Sequence, residues 1–394
     1  MRKLNKTHFI MLNVNAHLHT PYSFSAFRDI DDALDRAVAE KVKVVGINDF
    51  YTTKGFEEWK KGCDKRKLYP LFGIEFISLN QEDQNAGIRV NDPANPGRTY
   101  LSGKGMSYPF RIPEPYASEL KSVEVESNKQ VEEMFYKLND YLLGLNAGFE
   151  LSLKWIKDNL TLDSFRERHL ARALRMKVYE FCKEDETDIL QLFKTIFGGK
   201  KLKSSLIDIS GVENEIRSNM LKAGGAAFVP EERSAFLPVQ SVCDIILASG
   251  GIPTYPFLAD NVNGEYTDFE RDLEMAAQQL TERGIHSVEF ITTRNDIKLL
   301  EKYAGYLYDK GFIVTFGSEH NSPVMEPVEL FARNGVPLTD RLKKINYEGA
   351  CVIAAHQHVV SQGLDGYVDD DGEVDRSKRN EFMRLGEELI NSVV

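Results

Sequence analysis

The chain has 394 residues, a formal net charge of -11, 42% hydrophobic residues and 28% charged residues. These are the proportions of a globular protein with a sizeable core, and the length suits one large α/β barrel with an embellishment, or two domains. Lys and Arg are scattered, so generic nucleic-acid binding is disfavoured, and no run approaches the ~18 apolar residues of a membrane span.

Arg2, Lys3 and Lys6 precede a short apolar stretch, Phe9 to Leu12, which is too short for a signal-peptide core and leads straight into the next element. Cys63, Cys182, Cys243 and Cys351 lie far apart and form no C-x-x-C, which reads as reduced thiols in a cytoplasmic protein.

The stretch Asn13-Val14-Asn15-Ala16-His17-Leu18-His19-Thr20-Pro21-Tyr22-Ser23 organises the rest. Side chains in a strand alternate, so His17 and His19 point to one side, and Pro21 stops the strand just beyond them. Two imidazoles at a strand end, where loops can add ligands, form a common foundation for a metal site. The alternative is a half-buried strand with two polar residues on its solvated face.

Ile30, Ala33, Leu34, Ala37 and Val38 then recur at helical spacing, with Asp29 as N-cap. Val42 to Ile47 is a buried parallel strand ending in Asn48-Asp49-Phe50-Tyr51. Residues around Phe56 to Lys67 are helical, and Tyr69 to Leu79 is a third strand carrying Gly73-Ile74-Glu75-Phe76. This alternation predicts a parallel sheet or barrel. Gly, Pro, Asn and Asp then crowd residues 80 to 118, with a short strand near Arg98 to Leu101. From about Val123 to Ala223 the pattern is helical, with Val131, Met134, Phe135, Leu138 and Leu142 on one face. Within it Arg166, Arg168, His169 and Arg172 invite a phosphate-binding reading, although a solvated helix face is the commoner meaning of such a run.

The α/β rhythm resumes near Pro238. A helix from about Val239 to Ala248 leads through Gly250-Gly251 into Ile252-Pro253-Thr254-Tyr255-Pro256. Thr267-Asp268-Phe269-Glu270 matches a capping box opening a helix with Phe269, Leu273, Ala276, Ala277 and Leu280 on its buried face. Ser287 to Ile291 is a strand, a helix runs from about Asn295 to Lys310, and the strand Phe312 to Phe316 delivers Gly317-Ser318-Glu319-His320. Beyond Asp340 come a helix through Ala350 to Val360 and a last amphipathic helix, Lys378 to Ile390. His356 and His358 form a second H-x-H, but on a helix they diverge by about 200° and read as structural. The resulting division is 1–119, first part of the barrel; 120–237, helical insertion; 238–335, second part; and 336–394, C-terminal helical extension.

The polar residues at strand exits are His17, His19, Asp49, Glu75, Glu319 and His320, all metal-ligand types, and imidazole mixed with carboxylate suits Zn, Mn or Fe more than Ca or Mg. In order, His17-Leu18-His19-Thr20-Pro21-Tyr22-Ser23, Val45-Gly46-Ile47-Asn48-Asp49, Gly73-Ile74-Glu75, Gly250-Gly251-Ile252-Pro253-Thr254-Tyr255-Pro256 and Gly317-Ser318-Glu319-His320 resemble the motifs of the PHP (polymerase and histidinol phosphatase) family of metal-dependent phosphoesterases. The resemblance implies a distorted seven-stranded (β/α) barrel with a two- or three-metal centre at the strand C-termini and phosphate-ester hydrolysis, and the helical run of 120–237 reads as an insertion into that barrel. The chain departs from the family at Phe24, near Ser23; at Phe50 and Tyr255, where the family has His; in Arg98 to Gly105, which lacks a His; and at Glu319-His320, where the spacing is one residue short.

The expectation is therefore hydrolysis of a small phosphorylated substrate with one or two divalent ions. Metal ligands are drawn from His17, His19, Asp49, Glu75, Glu319 and His320, and catalytic groups from Asp49, Glu75 and Tyr255. Lys54, Lys104 and Arg294 stand near strand exits as candidate phosphate contacts, and the insertion is expected to cap the ligand face. Two rivals keep the barrel: an inactive ligand-binding or regulatory module, and a single-metal sugar-phosphate isomerase or lyase.

Overall fold

The computed structural model describes residues 11–260 and 264–394; the N-terminal Arg2, Lys3, Lys6 and Phe9 lie outside the described residues. Seven strands, β1 (Asn13–Leu18), β2 (Val42–Phe50), β3 (Tyr69–Leu79), β4 (Arg98–Lys104), β5 (Ile252–Phe257), β6 (Ser287–Ile291) and β7 (Ile313–Gly317), pair in sequence order. The sheet curls into a nearly closed barrel: His19 N donates to Glu319 O at 2.7 Å and Glu319 N to His17 O at 3.0 Å, joining the exits of β1 and β7. Gly317 permits that closure, because a Cβ there would fall 2.3 Å from His17 Cβ.

The expected parallel sheet holds except at β4, which runs antiparallel to both β3 and β5. Reversal carries the end of β4 down into the barrel, so Lys104 lies deep inside instead of at the ligand face.

The helices α1 (Ile30–Ala39), α2 (Phe56–Arg66), α3 (Gln81–Ala86), α4 (Tyr116–Gly144), α5 (Leu153–Leu160), α6 (Glu167–Phe181), α7 (Glu186–Ile196), α8 (Ile209–Ile216), α9 (Val239–Ala248), α10 (Leu273–Glu282), α11 (Ile297–Asp309), α12 (Asp340–Ser361) and α13 (Arg379–Asn391) complete the chain. Asp29 caps α1 by accepting from Asp32 N, as its sequence position predicts. The expected capping box at Thr267 does not open α10. Asp272 caps that helix, while Glu270 is buried and turned toward Tyr255.

Ile345 to Gln357 of α12 is buried on every side, which marks a helix enclosed by other structure. It packs with Val14, Tyr69, Leu71, Ile252 and Ile313, near the strand starts, so the C-terminal segment closes one end of the barrel. Asn346 ties it there, donating to Val14 O at 3.0 Å and accepting from Phe316 N at 2.8 Å.

The α4–α8 segment encloses an apolar core of its own, with Leu138, Leu142, Leu170, Leu174 and Phe193 fully buried. It meets the opposite, ligand end of the barrel. Ser164 N donates to Tyr22 O at 2.9 Å, Ser164 Oγ to Phe50 O at 3.2 Å, and Ser210 Oγ to Pro323 O at 2.6 Å. The insertion thus covers the exits of β1, β2 and β7. Among the described residues, no helix is long and apolar enough to cross a membrane.

Candidate metal centre

His17, His19 and Glu75 converge inside the barrel, with one ligand atom of each within 4.8 Å of the others. His17 Nε2 lies 3.1 Å from His19 Nε2, and Glu75 Oε2 lies 3.0 Å from His19 Nε2 and 3.8 Å from His17 Nε2.

What surrounds the imidazoles decides which nitrogen carries the proton. Glu289 Oε2 accepts from His17 Nδ1 at 3.0 Å. Ser23 Oγ, which donates to Asp49 Oδ1 at 2.6 Å, accepts from His19 Nδ1 at 3.1 Å. Both protons therefore sit on Nδ1, and both Nε2 lone pairs face Glu75. Asn48 Nδ2 lies 3.3 and 3.1 Å from the two His17 ring nitrogens. A point nearly equidistant from both cannot lie along either lone pair, so Asn48 leaves Nε2 free.

Glu75 Oε2 is buried without a hydrogen-bond partner among the described residues. Burial raises the Glu75 carboxyl well above its ordinary range, and Glu319 and Glu289 add to that. Burial, with His17 next, pushes His19 well down, so its ring is neutral. Two imidazole nitrogens and an orphaned carboxyl oxygen fit one divalent cation of the Zn, Mn or Fe type.

The other expected site residues lie elsewhere. Asp49 accepts from Thr20 N, Thr20 Oγ1 and Ser23 Oγ, and burial pushes it up to about 6; it holds Ser23 against His19 from outside the cluster. His320 stacks on Phe27 at 4.4 Å, with Nδ1 on Ser318 Oγ and Nε2 on Glu326 O, leaving no lone pair for a metal. Tyr255 is buried in the core, its hydroxyl donating to Glu270 Oε1 at 2.8 Å, and is absent from the cavity wall. Glu319 pairs with Arg294 at the cavity wall. Lys54 pairs with Asp163, and Lys104 Nζ, only 3% exposed, lies 2.8 Å from Glu289 Oε2.

Glu289 was visible in the sequence as a carboxylate inside the apolar strand Ser287–Ile291, but nothing there tied it to His17. It also accepts from Ser102 Oγ at 2.6 Å. Burial works against its charge, yet His17 and Lys104 outweigh burial and hold the Glu289 carboxyl well below the usual carboxylate range. An ionised carboxylate behind a ligand histidine is the usual way to fix its ring and raise its basicity.

A cavity of about 790 Å³ separates this cluster from the insertion. Glu75 lines it, whereas both histidines lie behind the wall. Phe50 stacks on His19 at 4.9 Å and forms part of the cavity floor.

The PHP domain family matches residues 15–180, which include the histidine pair, Glu75 and the first part of the insertion. The chain carries a PHP-domain match over those residues. Two solved structures share the fold. A proposed metal-dependent phosphoesterase from Bifidobacterium adolescentis is 13% identical, covering 84% of this chain and 94% of its own, with a TM-score of 0.55. An amidohydrolase from Chromobacterium violaceum, solved with sulfate and no metal, is 16% identical, covering 85% and 96%, with a TM-score of 0.52. No curated protein matches. Against the PHP motif, Phe50 and Tyr255 have separate fates: Phe50 stays beside the cluster, and Tyr255 leaves it.

Proposed function

We propose that this chain is a metal-dependent hydrolase acting on a small phosphate ester. The observation that carries the reading is the convergence of three buried ligand atoms, His17 Nε2, His19 Nε2 and Glu75 Oε2, with both Nδ1 protons directed away. Two imidazoles and a carboxyl buried together form a ligand set that a cation would join, displacing the carboxyl proton as it enters. A divalent ion held there would supply Lewis acidity toward a phosphoryl oxygen and a water acidified toward neutrality. The protein's own contribution is orientation: Glu289 fixes His17, and the Asp49–Ser23 pair fixes His19. Arg294, held by Glu319 at the cavity wall, directs a guanidinium toward the space where a phosphoryl group would enter. The two solved neighbours, described as a phosphoesterase and an amidohydrolase, support hydrolysis as the reaction class.

The test is phosphate release from a panel of phosphomonoesters with added Mn, Zn or Fe. Metal-dependent turnover, lost in Glu75→Gln, is expected. A second reading, a ligand-binding barrel without turnover, draws support from Phe50 covering His19. Tight metal binding with no release from any ester would favour it.

A further inference from the structure

Resting on that reading for the position of the ester phosphate, we propose that the helical insertion carries a second anion-binding subsite, formed by Arg166, Arg168, Arg217 and Lys222, and that the substrate bears a second anionic group. All four residues line the same cavity as Glu75. They come from two separate places in the insertion. Arg166 is the N-cap of α6 and Arg168 lies in its first turn, while Arg217 begins the π-helical turn Arg217–Leu221 after α8, with Lys222 just beyond it.

Their charge is not balanced locally. Arg217 reaches Glu167 at 2.7 Å and Lys222 lies 3.6 Å from the same oxygen. Arg168 donates to the Asn214 amide at 3.3 Å, and Arg166 to the Ser127 hydroxyl at 3.5 Å. Among the described residues, neither Arg166 nor Arg168 is paired with a carboxylate. The other cavity arginines differ, because Arg98 has Glu231 and Arg294 has Glu319. Burial favours a neutral Glu167, yet Arg217, Lys222, Arg166 and Arg168 together hold it well below its ordinary range. Burial lowers Arg168 to about 10, with Arg217 adding to it. Two arginines at the positive end of a fifteen-residue helix add to this repulsion. The cluster is therefore assembled against its own electrostatics, and a bound anion would relieve it.

The rest of the Arg-rich run has structural work. His169 Nδ1 accepts from Arg166 N at 3.0 Å, and Arg172 reaches Ser25 O at 3.4 Å and Glu213 at 3.7 Å.

The spacing from the metal candidate is set by one ring. Arg166 lies 4.6 Å above Phe50, whose other neighbour is His19 at 4.9 Å. A substrate with a small, flat body could reach both ends.

The experiment measures binding by calorimetry, with non-hydrolysable probes and the Mn-loaded chain. The probes are benzylphosphonate, 4-carboxybenzylphosphonate and 1,4-xylylenebisphosphonate. The doubly anionic probes are expected to bind about tenfold tighter or more, the gain of roughly one charge-assisted pair, and the stronger of the two identifies carboxylate or phosphoryl as the second group. Arg168→Gln should bring the three affinities together, and Lys222→Gln should do the same if the first variant does not fold. Equal affinities in the wild type, or discrimination kept in the folded variants, would overturn the subsite. Because the readout is binding, absence of ester hydrolysis would sink the hydrolase reading while leaving this result interpretable.

Discussion

Glu289 Oε2 stands between His17 Nδ1, at 3.0 Å, and Lys104 Nζ, at 2.8 Å. All three side chains are buried, so the ammonium holds the carboxylate ionised and the carboxylate holds the imidazole in its Nδ1–H form. Removing one partner of such a pair leaves an uncompensated charge. Lys104→Met is therefore expected to cost about 3–5 kcal/mol in urea denaturation. Adding Glu289→Gln should cost less than the sum of the single changes. Glu289→Gln alone should also weaken Mn binding about 10–100-fold, read by calorimetry, because His17 loses its orienting carboxylate. Strictly additive stability losses would disprove the coupling.

His17→Ala and His19→Ala should each abolish stoichiometric metal in protein purified without an affinity tag, measured by elemental analysis. The raised Glu75 carboxyl adds a pH signature. A proton held there must leave when a cation enters, so apparent affinity should rise with pH and binding should release protons. Identical calorimetric heats in buffers of different ionisation enthalpy would contradict this.

Phe50→His should add a ligand and Tyr255→His should not. Phe50 packs on His19, whereas Tyr255 bonds to Glu270 in the core. Metal stoichiometry across the two variants tests the difference. A gain in Tyr255→His alone would contradict the assignment.

Stability of the metal-free chain should fall as pH rises from about 7 to 8. Burial lifts Glu270 to about 8, against the partial opposition of Leu258 N, the Tyr255 hydroxyl and Ala259 N. A carboxyl with a raised folded pKa stabilises below its unfolded pKa, and that contribution is lost as pH climbs through the folded value. Below about 8 the native state holds this proton and the unfolded chain does not, so Glu270 contributes about −1.4 kcal/mol per pH unit to the slope. Glu75 shifts in the same direction. The depressed histidines His19, His169, His286, His320 and His356 oppose this slope, because the unfolded chain still binds protons at them near pH 6.5; that opposition fades above about 7. Glu270→Gln, whatever its absolute cost, should flatten the slope by about one proton. An unchanged slope would place the titration elsewhere.

Gly317→Ala should unseat His17. The added carbon would sit 2.3 Å from His17 Cβ and 3.0 Å from its Cα, so β1 and β7 must part. The expected result is a loss of several kcal/mol, in the range of severe overpacking, together with loss of metal binding. A well-folded variant with wild-type metal affinity would show that the closure tolerates movement.

Much of the architecture was legible in the residues themselves. Short apolar runs separated by amphipathic helices specify a barrel, because local periodicity depends only on neighbouring residues. The pairing of His17 with His19 follows from strand alternation, and Glu75 from its position in β3. Which phase of each strand faces inward depends on register across strands, and no single strand contains that information. In the folded barrel Phe50 lies opposite Glu75, Glu75 opposite Ser102, and Ser102 opposite Thr254. Pro256 lies opposite Glu289, and Glu289 opposite Thr315. Asp49 and Tyr255 are each one residue out of that inward phase, which is why these two side chains turn away, whereas His320 lies beyond β7 in left-handed backbone that turns it onto Phe27. The antiparallel course of β4 sinks Lys104 beneath His17, and the fold of the insertion brings Arg217 to Arg166 and Arg168 from about fifty residues away along the chain. Local chemistry named the groups able to bind a metal or an anion; long-range pairing, set by the closure of the sheet and the packing of the insertion, selected which of them meet.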